Sequence, residues 1–247
     1  WAASHYSPRV CAPYLKVIRK KENFVETCYM CSERSTSREH IPPKCIFPEK
    51  KDLLKGYNFR KDLITVPSCD VHNSHKSKDD EYIMFCLASA MQGNEHKNRH
   101  FESKIMRAAE RRPHVYASFL SNLTPVLIKD EHGNVEESAA FSVNLKRLDN
   151  AFSNIARGIF FHRFGEKWLL GTKVISNALM DVTSNNAPKV NEETQSLVNR
   201  ITTFFEPFTK FGANSEIFFY RIFSNDEGNH VIEMTFYEKH VVIVLLR

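Results

Sequence analysis

The sequence predicts an α+β protein with a metal-stabilised N-terminal half and an antiparallel sheet near the C-terminus. Three observations carry this. Cys28-x-x-Cys31 and Cys69-x-x-His72 are two ligand pairs about forty residues apart, the pattern of one tetrahedral Cys3His zinc site. Three stretches, 77–90, 95–112 and 144–161, carry helical patterning. Residues 216–223 and 231–246 are runs of Phe, Tyr, Ile and Val around the turn Asn225-Asp226-Glu227-Gly228-Asn229, as expected of paired strands.

Taken in order, residues 14–22 suit a short basic helix or an arm, and 24–27 a short strand leading into the first Cys pair. Residues 34–37 are turn-like, and 38–41 read as a strand stopped by Pro42-Pro43. Residues 63–66 return as a strand, and Pro67 turns the chain into Cys69. Ser77 is placed to cap a helix whose first turn holds Asp79, Asp80 and Glu81, where acids favour the helix dipole; Gly93 can end it. A charged helix over 95–112 closes at Arg111-Arg112-Pro113, which suggests a division into 1–112 and 113–247. Beyond it, 125–129 and 137–143 form a hairpin around His132-Gly133-Asn134. Asn144 caps an amphipathic helix reaching Phe161, and a further helix starts at Asn191 and runs to about Phe205.

Composition narrows the function classes. The 247 residues are 42% hydrophobic and 26% charged, which suits an ordinary globular chain with a sizeable core. The longest apolar run, Val241 to Leu246, is too short to span a membrane, and residues 1–14 hold no apolar signal core. Trp1 in place of an initiating Met reads as a trimmed terminus. Of six cysteines, three fit the zinc pattern, and Cys11, Cys45 and Cys86 show no pairing pattern; a reducing, cytoplasmic setting follows. Cys45 and Cys86 are expected to be buried as small hydrophobes. The net charge of +5 is uneven: residues 1–112 hold 21 Lys and Arg against 14 Asp and Glu, and residues 113–247 hold 13 against 15. A positive N-terminal half suits a phosphate-bearing partner. Lys44, Lys50, Lys51 and Lys55, interleaved with Phe47, Tyr57 and Phe59, are the candidate nucleic-acid contacts, with Lys76 further on.

Between and beside the two Cys/His pairs stand residues that a zinc site does not need: Glu39-His40-Ile41-Pro42, and Asn73-x-x-Lys76 directly after His72. This combination resembles the HNH endonucleases, the ββα-metal or His-Me finger nucleases, and in particular their zinc-bearing bacterial members. The resemblance covers about a quarter of the chain. It implies a zinc-stabilised ββα-metal (HNH) module followed by an α+β domain with an antiparallel sheet. It implies His40 as the general base, whose ordinary pKa near neutrality suits that role. Glu39 and Asn73 are the implied oxygen ligands of a catalytic Mg2+ or Mn2+, a hard cation that prefers oxygen. Zinc, with Cys28, Cys31, Cys69 and His72 around it, keeps no open position and is structural. His72 is preferred on spacing over His75 as the fourth ligand. The second Cys pair of the family is here Cys-x-x-His, and the family's middle Asn is absent; Asp62-Leu63 is the nearest match, with Asn58 further off.

The expectation is thus a metal-dependent endonuclease cleaving DNA, of the kind found among defence or stress effectors. Its residues 113–247 would regulate it, pair it with a second copy or dock it to a partner protein. The alternative is a zinc-stabilised nucleic-acid-binding module without cleavage.

Overall fold

A computed structural model describes residues 26–247 except 74, 75, 91, 112, 114–116, 118–122, 130–132 and 183. The expected arm over 14–22, Cys11, His75 and His132 lie outside the described residues. Of the strand expected over 24–27, Thr27 forms an isolated antiparallel bridge to Arg34.

Two short strands, β1 (Ser37–His40) and β2 (Thr65–Ser68), pair antiparallel, with Glu39 opposite Val66 and His40 opposite Thr65. Pro67 is a member of β2 opposite Arg38, not the turn expected of it. A two-stranded ribbon has only edge strands, where the missing N–H is tolerated. The helical turn α1 (Asp70–Asn73) follows, then α2 (Ser77–Ser89). Ser77 is the first residue of α2 rather than its cap. Lys76 holds the cap position with helical φ and ψ of −84° and −14°, and its carbonyl takes the N–H of Asp79 and of Asp80. The helix ends at Ser89, four residues before Gly93.

The charged segment becomes α3 (Glu95–His100), a π-helical turn (Phe101–Ile105) and α4 (Met106–Arg111), and Asn94 caps α3 by accepting from the Lys97 N–H at 3.1 Å. Strands β3 (Thr124–Lys129) and β4 (Val135–Ala140) form the expected hairpin, its second strand starting two residues early.

Helix α5 (Leu145–Phe164) is the central element. Leu148, Ala151, Phe152, Ile155, Ala156, Ile159 and Phe160 recur at three- and four-residue spacing and are all buried, the stripe an amphipathic helix needs. The Asn144 side chain accepts from the Arg147 N–H at 3.0 Å, and Gly165, at φ +73°, ends the helix in the left-handed conformation that costs glycine nothing. Helix α6 (Ala187–Phe205) starts four residues before Asn191, with a proline in its first turn.

The C-terminal sheet has five antiparallel strands in the order β5-β9-β8-β7-β6. These are β5 (Thr172–Ser176), β6 (Phe211–Asn214), β7 (Phe218–Ser224), β8 (His230–Phe236) and β9 (His240–Leu246). The run 231–246 is two strands, broken at Tyr237 and Glu238, whose φ values are +47° and +64°. Neither residue favours that conformation, but the Tyr237 side chain is wholly buried and its hydroxyl donates to the Ile46 carbonyl at 2.7 Å. A tertiary contact holds that turn.

One buried cluster joins both sides of residue 112, with Ile41, Ile46, Ile83 and Leu87 packed alongside Ile155, Ile159, Met234 and Val244. Full burial of one such side chain stabilises by roughly 1.5–3 kcal/mol. Polar contacts cross in the same place. The Tyr82 hydroxyl accepts from the Asn144 N–H at 2.6 Å, Arg147 pairs with Asp79, and its guanidinium lies 4.2 Å from the Tyr82 ring centre. Among the described residues, no helix is long and apolar enough to cross a membrane.

Candidate functional site

Cys28, Cys31, Cys69 and His72 converge, with their ligand atoms all within 4.8 Å of one another. The His72 Nδ1 lies 3.4 Å from Cys28 Sγ, 3.5 Å from Cys31 Sγ and 3.3 Å from Cys69 Sγ, and the Cys31 and Cys69 sulfurs are 3.8 Å apart. Metal bonds of about 2.3 Å to sulfur and 2.0–2.1 Å to nitrogen set tetrahedral edges of roughly 3.8 Å between sulfurs and 3.6 Å from sulfur to nitrogen. The separations above lie close to those edges, so the cluster can hold a metal such as zinc. The first pair comes from the loop before β1, the second from the turn joining β2 to α1, where the His72 and Asn73 N–H groups bond the Cys69 carbonyl. The loop after α5 ties the first pair down: Lys167 Nζ donates to Thr27 Oγ1 at 2.8 Å and to the Cys31 carbonyl at 2.6 Å.

A cleft of about 520 Å³ opens beside this cluster, lined by residues that include Arg38, Glu39, His40, Lys44, Asn73 and Asp80. The sequence-predicted base and both predicted oxygen ligands therefore meet in one cleft. His72 and Asn73 are neighbours on a helical turn, about 100° apart, so one faces the cysteines and the other the cleft. The Asn73 amide donates to Ser37 Oγ at 2.7 Å, which fixes its plane and leaves the amide oxygen for another partner.

His40, at the end of β1, is half-buried, and its ring makes no hydrogen bond among the described residues. Burial first, then the charges of Lys44 and Arg60, hold its pKa below the ordinary value, with Glu39 opposing them. The imidazole is therefore mainly neutral at pH 7, the form that accepts a proton.

Glu39 is committed elsewhere in part. It is 4% exposed, Lys76 is 7% exposed, and the two form a buried ion pair through Oε1; Ser68 Oγ donates to Oε2 at 3.3 Å. The fully buried Tyr29 hydroxyl makes no hydrogen bond of proper geometry among the described residues, and burial, then the Glu39 charge, keeps it protonated. Lys76, expected on nucleic-acid phosphate, is instead the internal counterion of Glu39. Removing one partner of such a pair leaves an uncompensated charge and costs roughly 3–5 kcal/mol.

The other predicted basic contacts divide. Lys44 is exposed and lines the cleft. Lys50, Lys51 and Lys55 are exposed away from its lining, and Lys51 pairs with Glu49 at 2.9 Å. Asp62, the nearest match in sequence to the middle Asn of the HNH pattern, is exposed with φ +54° and does not line the cleft. Cys86 is buried as expected, whereas Cys45 is only half-buried, and its thiol donates to the Asp80 carbonyl at 3.2 Å.

Sequence reasoning missed two contributors. Arg38, beside Glu39 on β1, lines the cleft and also bonds the Thr65 hydroxyl at 3.0 Å. Asp80, assigned to the helix start, lines it too. Burial raises its pKa to about 6, opposed by the Lys76 charge and assisted by Glu39 and Asp79. The three acids Asp79, Asp80 and Glu81 look alike in sequence, and nothing there separates Asp80 and Glu81, which line the cleft, from Asp79, which pairs with Arg147.

Neither a family model, nor a curated protein, nor a solved structure matches the chain.

Proposed function

We propose that the chain is a metal-dependent endonuclease of the HNH type acting on DNA, with zinc in the Cys28, Cys31, Cys69 and His72 cluster as a structural ion. The observation that carries this is the cleft itself. A mainly neutral histidine, His40, and an oriented amide, Asn73, share it with Arg38 and Lys44, directly beside a metal-type Cys3His cluster built on the same short elements.

In this reading a hard divalent cation, Mg2+ or Mn2+, supplies charge neutralisation at the scissile phosphate when bound. His40 takes a proton from the attacking water as its oxygen bonds to phosphorus. The bond from phosphorus to the leaving oxygen breaks, and solvent protonates that oxygen. Arg38 and Lys44 offer positive charge to the phosphate, and Asn73 presents its amide oxygen to the cation. Residues 113–247 pack on the module through Gly158 against Ile41 and through Lys167, and in this reading their other faces carry regulation or a partner.

The commitment of Glu39 to Lys76 and Ser68 favours a second reading, a nucleic-acid-binding module without cleavage, since it engages one of the two expected oxygen ligands. Incubating supercoiled plasmid with the zinc-loaded protein in Mg2+, Mn2+ or EDTA, beside His40→Ala, separates them. The nuclease reading expects metal-dependent nicking, reduced about 100- to 10,000-fold in His40→Ala, the scale of a general base. Binding without cleavage in every metal would establish the second reading.

A further inference from the structure

We propose that Asp80 supplies the carboxylate ligand of the cleft's divalent cation, the part that the resemblance gives to Glu39. This rests on the nuclease reading above and changes its ligand set.

Glu39, Asp80 and Glu81 all line the cleft, and Glu39 and Asp80 differ in what already binds them. Glu39 has Lys76 on one oxygen and the Ser68 hydroxyl on the other. A cation arriving there would meet an ammonium group in contact with the same carboxylate, and like charges at that range repel strongly in a buried site; the Lys76 charge also reaches Asp80, but among the described residues it makes no ion pair there. Asp80 also lines the cleft, its Oδ1 is buried, and that oxygen has no hydrogen-bond partner among the described residues. Burying a carboxylate oxygen without a donor is costly, and native structures rarely leave such a group unsatisfied. A cation held by this carboxylate from the cleft would supply the partner that the group lacks.

The backbone around Asp80 is held for the purpose. Its N–H bonds the Lys76 carbonyl at 2.9 Å, and its own carbonyl accepts the Cys45 thiol at 3.2 Å. Asn73 lines the same cleft from the end of α1, its amide plane fixed by Ser37. One carboxylate and one amide oxygen, with waters and substrate phosphate completing the shell, is a donor set that suits Mg2+ or Mn2+. The Lys76–Glu39 pair then positions β1 against the start of α2, holding His40 and Asp80 across the cleft.

The test is Mn2+ binding to the zinc-loaded protein, read from the electron paramagnetic resonance signal of free Mn2+, with and without a short DNA duplex. One Mn2+ beyond zinc is expected in the wild type. Asp80→Asn should weaken it about tenfold or more, since even outer-shell changes at metal sites cost that much. Asp79→Asn, whose partner is Arg147, should leave it unchanged. Wild-type binding that Asp80→Asn leaves intact overturns this inference and spares the nuclease reading. A wild type that binds no Mn2+, with or without DNA, overturns both. Should Asp80→Asn lose its zinc, Fe2+-directed cleavage of the wild-type backbone decides instead. Cuts near Asn73 and Asp80 support the assignment, and cuts near Asn73 with none over residues 78–82 overturn it.

Discussion

Gly158 lies in the middle of α5, where glycine costs about 1 kcal/mol against alanine, so Gly158→Ala would ordinarily stabilise the protein. The packing predicts the reverse. A Cβ built on Gly158 would sit 2.6 Å from both Cδ1 and Cγ1 of Ile41 and 3.2 Å from its Cγ2. Ile41 is almost wholly buried, so the packing around it and the backbone beside His40 resist a shift of its Cγ1. Overpacking of this kind costs roughly 1–3 kcal/mol. Set against the helix gain, Gly158→Ala should be destabilising by up to about 2 kcal/mol, or about 2–4 °C in midpoint for each kcal/mol. Chemical denaturation of four proteins tests this: wild type, each single variant and the double variant. Ile41→Ala alone should cost about 2–5 kcal/mol through its cavity. In that background the three opposing atoms are gone, and Gly158→Ala should become stabilising by about 1 kcal/mol. The sign reversal is the signature. Additive effects, or stabilisation in the wild-type background, would refute the close approach of α5 to the strand end that carries His40. On the nuclease reading, Gly158→Ala should also lower cleavage while leaving zinc content unchanged.

Zinc content should be one ion per chain, and Cys28→Ala, Cys69→Ser or His72→Ala should each abolish it, with loss of folded N-terminal structure, while His75→Ala keeps it. Such ions contribute on the order of 10 kcal/mol of apparent folding free energy, so full zinc in a Cys69 variant, by elemental analysis, would remove the assignment. Stability should also fall as the solution is acidified, through His100 and His240, whose pKa values burial pushes down to about 3 and about 4. Unfolded, each takes up its proton near pH 6.5, so the unfolded state binds more protons in the window below that value. The stabilising contribution is complete above about pH 6.5 and is lost towards the folded pKa values, on the order of 2 kcal/mol per histidine by pH 5. In the folded protein, neither ring's NMR resonances should titrate between pH 8 and pH 5; a midpoint near 6.5 for either would contradict its burial as the neutral form.

The sequence by itself determined what rests on local chemistry. Ligand spacing alone brought out Cys28, Cys31, Cys69 and His72, because a tetrahedral ion needs four donors, and paired donors two residues apart reach one ion from a single turn. Periodicity and caps located α5, since Asn144 and the stripe from Leu148 to Phe160 are visible as pattern. The adjacency of His72 and Asn73 was enough to send one to the cluster and the other to the cleft. What tertiary structure decided were choices between chemically equal residues. Only the fold assigns Lys76 to Glu39 rather than to solvent, or separates Asp80 in the cleft from Asp79 on Arg147, because burial and charge pairing depend on which elements pack over a side chain. The break at Tyr237 and Glu238 has no glycine or asparagine to announce it, since the buried Tyr237 hydroxyl on the Ile46 carbonyl holds the unfavourable backbone. The two halves also share one core, for Gly158 against Ile41 is a contact between residues 117 positions apart, and no local pattern encodes a partner at that range.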